Sequence, residues 1–116
     1  MAALAITDDA ARIKAVLPLV HKSLLTQGGL DLKSTIKEYS YRRAVRSYSA
    51  YALPLNITVV HKGSVTTVGF ADTAERGRTD KYFCPKREGV AGMPAPVHIF
   101  WPEAGGEPKI IDFGSL

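Results

Sequence analysis

The chain has 116 residues, 46% of them apolar, a single cysteine and a formal charge of +4. That length suits one domain, spanning residues 1–116, with a hydrophobic core of its own, and that apolar fraction excludes wholesale disorder. A lone cysteine excludes an internal disulfide framework, and no apolar run approaches the ~20 residues of a membrane-spanning helix.

The N-terminus meets Asp8 and Asp9 early and lacks a basic leader, so it does not read as a signal peptide; a cytoplasmic location is expected. Thr7 followed by two aspartates reads instead as a helix start, a capping hydroxyl with acids in the first turn. Ile13, Val16, Leu17, Val20 and Leu24 then recur at helical spacing and mark one apolar face. Pro18 lacks an amide proton and crowds the preceding turn, so it kinks or divides this helix, and Gly28-Gly29 ends it.

Leu30–Tyr51 supports two readings. Asp31 can cap a second helix through Ile36, Arg43 and Ser47, while Tyr39, Tyr41, Tyr48, Tyr51 and the interspersed serines favour strand. Helix is expected over the first half and extended chain by Ala50, because Pro54 disfavours helix at Leu53.

The strongest local pattern follows. Two runs rich in β-branched residues, Leu55–His61 and Ser64–Asp72, flank Lys62-Gly63 and read as a β-hairpin turning at that dipeptide. In that register Leu53, Leu55, Ile57, Val68 and Phe70 share a buried face, together with His61 and Asp72. Thr73–Gly92 is polar and reads as a mobile loop, with room for a short strand at Thr79–Cys84. Val97–Pro102 and Lys109–Phe113 form a second hairpin around Gly105-Gly106. Centred on those glycines, its register sets Trp101 opposite Ile110, Phe100 opposite Ile111 and Asp112 opposite Ile99.

The sum is an α+β fold: one or two N-terminal helices packed on a curved antiparallel sheet of about four or five strands. This element order resembles that of the short, cone-shaped domains of the cystatin/NTF2-like kind, a resemblance of order and not of residue motif.

Candidate chemistry falls into a few groups. Asp72 and His98 could act as a general acid–base couple if their strands lie side by side, the carboxylate setting the imidazole tautomer; Asp112 is a second candidate carboxylate. Tyr41 and Trp101 would then be ligand-binding groups in an otherwise apolar pocket. Cys84, followed by Lys86 and Arg87, has cations that favour thiolate but no local base, so an inert buried thiol is the better reading. Cations gather in two tyrosine-interleaved or polar segments, Arg42, Arg43 and Arg46 in the first, Arg76, Arg78, Lys81, Lys86 and Arg87 in the second. On one face they would suit phosphates or acidic side chains. The three histidines and Cys84 include no pair at metal-ligand spacing, and no glycine-rich phosphate loop is present, so neither metal nor cofactor is expected.

The function expected from these features is a small non-enzymatic interaction module presenting a basic helix and loop to an acidic protein or nucleic acid, without membrane attachment. Phe100, Trp101, Ile110, Ile111 and Phe113 exceed the needs of one core, so either one face is buried in a homodimer through the C-terminal hairpin or the sheet curls and both faces are internal. The alternative is a pocket protein or enzyme whose helix and sheet enclose a small ligand beside an Asp–His pair.

Overall fold

The computed structural model describes residues 1–52 and 55–116. A 3-10 turn, Ala2–Ala5, leads into helix α1, Asp9–Val16. Asp8, not Thr7, caps it: its Oδ2 accepts from the Ala11 N–H at 2.9 Å, satisfying one of the donors that a helix start leaves open. Pro18 divides the helical run as expected, and Leu17–Leu19 tighten into a 3-10 turn. Val20 is then extended and bridges Ile110 in parallel, with the His21 N–H donating to the Ile110 carbonyl at 2.7 Å. Val16 and Val20 are buried, and Ile13, Leu17 and Leu24 pack against the same core, so the helical spacing identified the right face.

The ambiguous tyrosine-rich stretch is helical from Ser34 to Ala50. It comprises a π turn, Ile36–Tyr41, helix α2, Arg42–Ser47, and a 3-10 turn, Tyr48–Ala50. Burial follows the helical period: Tyr41 and Ala44 are fully buried and Tyr48 packs on the core, while Tyr39 faces solvent. Packing of that face outweighed the strand preference of the tyrosines.

Strands β1, Val60–His61, β2, Val65–Val68, β3, Glu75–Cys84, β4, Ala95–Pro102, and β5, Lys109–Asp112, form one antiparallel sheet with β3 and β4 at its centre. The fold class is α+β, helices against this sheet, as the element order implies.

The central hairpin, however, is corrected. β1 and β2 do not pair with each other. Both pair with β3, Val60 opposite Tyr82 and Val65 opposite Arg78. Between those pairs the residues Lys62, Gly63 and Ser64 oppose only Thr79 and Asp80, which makes a β-bulge in one edge strand, not a turn. Gly63 is required there because a Cβ would collide with the Thr79 carbonyl oxygen, and its N–H donates to Asp80 Oδ1 at 3.0 Å. The chain folds back later, through Gly69 and the 3-10 turn Ala71–Thr73, where Ala71 takes φ 55°. Accordingly Leu55 and Ile57 reach the core, Val68 is half-buried, and Phe70 is 86% exposed at the tip of the turn. Leu53 and Pro54 lie outside the described residues.

The reading of Thr73–Gly92 as mostly loop is corrected with it. Glu75–Cys84 is the longest strand of the sheet. Charge does not exclude Asp80 from the sheet interior because Arg78 Nε donates to both its oxygens, at 2.9 and 3.1 Å. The β4–β5 hairpin forms as expected with a shifted register: Ile99 pairs with Ile110 and Phe100 with Lys109. A bulge after His98 then sets Asp112 opposite His98, not Ile99. The shift at Phe100 is two residues, which keeps Ile110 on its expected face, while the bulge moves Asp112 to the other one.

Alternation gives the sheet two different surfaces. Tyr82, Cys84, Val97, Ile99 and Ile110 face the N-terminal helix, and the cluster of buried residues there runs from Leu4 through Val16 and Val97 to Phe113. Phe100 is fully buried on the opposite face, under the edge of the His21 ring at 4.9 Å.

Candidate functional site

Helix α1 and the N-terminal turn lean on the first of these surfaces without filling the space beneath them. A cavity of about 250 Å³ remains. Leu4, Val16, Leu19 and Val20 roof it, Val97, Ile99 and Ile110 form its floor, and Leu55 and Ile57 close one side. Tyr82 and Cys84 bring a hydroxyl and a thiol to an otherwise apolar wall. Burial pushes the Cys84 thiol up, away from thiolate. Lys86 does not offset this, because its ammonium sits 4.2 Å over the Tyr51 ring and donates to the Tyr51 hydroxyl at 3.1 Å. The cavity is partly open to solvent, an apolar cleft that a small molecule can enter and not a sealed void.

Tyr41 does not line this cavity. Its hydroxyl donates to Asp9 Oδ1 at 2.8 Å and accepts from Arg12 Nε at 2.9 Å. The Tyr41 hydrogen bond, with the charges of Arg42 and Arg12, holds the Asp9 carboxyl below its usual range, while burial pushes Tyr41 up. The residue expected to bind ligand instead ties α1 to the end of the π turn. Replacing it by phenylalanine leaves Arg12 Nε, on a buried residue, without that partner. Tyr41→Phe is expected to cost about 1–3 kcal/mol of stability, read as a lower urea midpoint. An unchanged midpoint would remove the hydroxyl from this role.

Asp72 and His98 are not brought together. Asp72 is exposed in the turn before β3, whereas His98 stands opposite Lys81, six residues along β3 from Glu75. At ~3.4 Å per residue that separation is about 20 Å. The carboxylate nearest His98 is Asp112, with Oδ2 3.8 Å from Nδ1, too long for a hydrogen bond. Trp101 lies opposite Arg78 and does not line the cavity.

The cations are largely engaged within the chain. Arg42 lies 3.3 Å from Asp9, Arg76 pairs with Glu103 at 3.0 Å, Arg78 with Asp80, and Arg43 Nε donates to the Leu116 carbonyl at 2.9 Å. Arg46, Lys81 and Arg87 are exposed and make no ion pair among the described residues. No cluster of three or more His, Cys, Asp or Glu side chains suited to a metal occurs among the described residues. No helix among the described residues is long and apolar enough to cross a membrane.

One polar group was not legible in the sequence. His21 falls directly after Val20 on an apolar helical pattern, yet its ring is buried and bonded on both sides, to Ser23 and to Glu75. Ser23 is a local neighbour, but Glu75 is remote in the chain, and no spacing rule links the two. Comparison with protein-family models, with curated proteins and with solved structures finds no match to this chain.

Proposed function

We propose that this protein binds a compact, uncharged, apolar molecule in the cavity between α1 and the sheet. The observation that supports this reading is the cavity itself, about 250 Å³ with an apolar wall. An apolar cavity of about 150 Å³ stays dry and accepts benzene, and pockets for drug-sized ligands begin near about 300 Å³, so a one- or two-ring molecule is the matching size. No Asp, Glu, Lys, Arg or His side chain lines it among the described residues, and the one charge near its wall is the Met1 ammonium beside Cys84, so the apolar lining favours an uncharged ligand. Affinity would come from buried apolar area, with the Tyr82 hydroxyl as an orienting group.

A basic surface for an acidic protein or nucleic acid is less well supported, because Arg42, Arg76 and Arg78 already face carboxylates of their own chain. The apolar surplus of the C-terminal hairpin gives little support for a dimer. Phe100 and Phe113 are buried within the chain, and Ile110 belongs to the cavity floor.

Titration with N-phenyl-1-naphthylamine, a neutral fluorophore of two linked ring systems, tests the proposal. Saturable one-to-one enhancement is expected, and Val97→Phe, which extends a ring into the cavity, should weaken it by about tenfold or more, ~1.4 kcal/mol. The variant's circular dichroism should match the wild type. Binding that does not saturate, or that is equal in the folded variant, would reject the cavity as the site.

A further inference from the structure

On the other face of the sheet, Ser23, His21 and Glu75 form a chain of hydrogen bonds independent of the cavity. His21 is 1% exposed, Ser23 Oγ lies 2.8 Å from its Nδ1, and Glu75 Oε1 lies 2.9 Å from its Nε2. The proton positions follow from the backbone. The Ser23 N–H donates to Nδ1 at 3.1 Å, so Nδ1 carries a lone pair and the ring proton is on Nε2, directed at Glu75. With Nδ1 an acceptor, the Ser23 hydroxyl makes its 2.8 Å contact as a second donor, sharing the single Nδ1 lone pair with its own backbone amide. The hydroxyl is therefore oriented as a nucleophile next to its base, and the base is held by a carboxylate on its far side.

The surroundings fit that arrangement. The His21 ring is shut away from water against Phe100, while Ser23 lines a groove between residues 22–33 and the turn at Gly69–Thr73. Lys22 and Lys33 line the same groove, and Lys22 Nζ stands 3.9 Å from Glu75 Oε1. The Lys22 ammonium thus lies on the carboxylate side of the imidazole, and Lys33 makes the groove beside Ser23 basic.

We infer that Ser23 is an acyl-accepting nucleophile, with His21 as its general base and Glu75 as the positioning carboxylate, acting on small carboxylic esters. In the first half-reaction the Ser23 O–H bond breaks, its proton passes to Nδ1, Oγ bonds to the ester carbonyl carbon, and the carbonyl electron pair moves to oxygen. Collapse of that adduct breaks the bond to the alcohol oxygen, which leaves with the proton from His21. Water then attacks the acyl-serine, giving its proton to His21; the acid departs and Ser23 regains its hydrogen. The sum is ester plus water giving acid plus alcohol. A histidine that merely caps the turn Lys22–Leu24 would show the same bond to the Ser23 amide but no reactivity at Oγ.

A fluorophosphonate probe separates the two. It reacts by forming an Oγ–P bond and expelling fluoride, the hydroxyl proton passing to the base. Incubation of the full chain, followed by peptide mapping, is expected to place one adduct on Ser23, absent from Ser23→Ala. Glu75→Gln should slow labelling by about tenfold or more at an unchanged thermal midpoint, and Glu75→Asp, which keeps the charge, should label faster than Glu75→Gln. No adduct, an adduct on another residue, or equal rates in the wild type and the two Glu75 variants would overturn the assignment.

Discussion

Phe100→Ala is expected to lower the free energy of unfolding by about 3–5 kcal/mol, the largest single loss available on the sheet. Phe100 is fully buried, and its ring crosses β3 at Gly77. A Cβ on Gly77 would strike both that ring and the Trp101 carbonyl oxygen. The glycine and the phenylalanine are therefore one packing unit, a strand position kept bare so that an aromatic ring can lie across it. Gly77→Ala should cost about 1–3 kcal/mol through overpacking. Because the two changes share the ring contact, their effects should not add, although the clash with the Trp101 carbonyl remains when the ring is removed. In a urea-denaturation cycle, Gly77→Ala should be less damaging in the Phe100→Ala background than in the wild type. Strict additivity would show that the ring does not occupy the space over Gly77.

Asp80→Asn supplies the second large effect, and its size depends on pH. Asp80 is fully buried; burial pushes its pKa up, but the Arg78 hydrogen bonds, the Gly63 amide and the charges of Arg78 and Lys62 outweigh that and hold the carboxyl below the usual carboxylate range. A carboxyl whose folded-state pKa is depressed contributes stability above its unfolded pKa and loses it as pH falls through the folded value. The asparagine variant cannot follow that titration. At neutral pH it should be less stable than the wild type by about 2–3 kcal/mol, less than the ~3–5 kcal/mol of a fully buried broken pair, because Arg78 is partly hydrated and screened. Below about pH 4 the two urea midpoints should converge. A gap of constant size from pH 7 to pH 2.5 would assign the effect to packing and not to charge. Hydrogen exchange at the Gly63 amide adds a local readout, since its donor bond goes to Asp80 Oδ1 at 3.0 Å. That amide should exchange faster in the variant than the amides of β4.

Elements whose signals are local could be read directly. Asp8 and Asp9 at a helix start, Pro18 as the point of division and the apolar face from Ile13 to Leu24 each depend on neighbours within a turn or two, whereas Gly28-Gly29, expected as the helix stop, lies well beyond the actual end at Val16. The C-terminal hairpin is of the same kind, since its strands lie close in sequence and glycines mark the connection. The stretch Val60–Val68 shows where such reading stops. Its alternation is the same whether the chain turns at Lys62-Gly63 or runs on past a bulge, and only the availability of β3 as a partner decides. β3 was in turn hidden because Arg76, Arg78 and Asp80 look like loop residues until their partners are known.

The candidate sites were less legible than the fold for the same reason. A His21–Glu75 bond joins residues far apart in the chain, and the cavity is the space that packing leaves unfilled, which no residue encodes by itself. Sequence alone determined the α+β class, the start and division of α1, and the existence of the C-terminal hairpin, because periodicity, caps and turns are short-range preferences of the backbone. Tertiary structure alone decided which strand β1 and β2 join, which face Phe100 covers, and which polar groups meet, because those choices depend on burial and charge pairing between segments that meet only when the chain is folded.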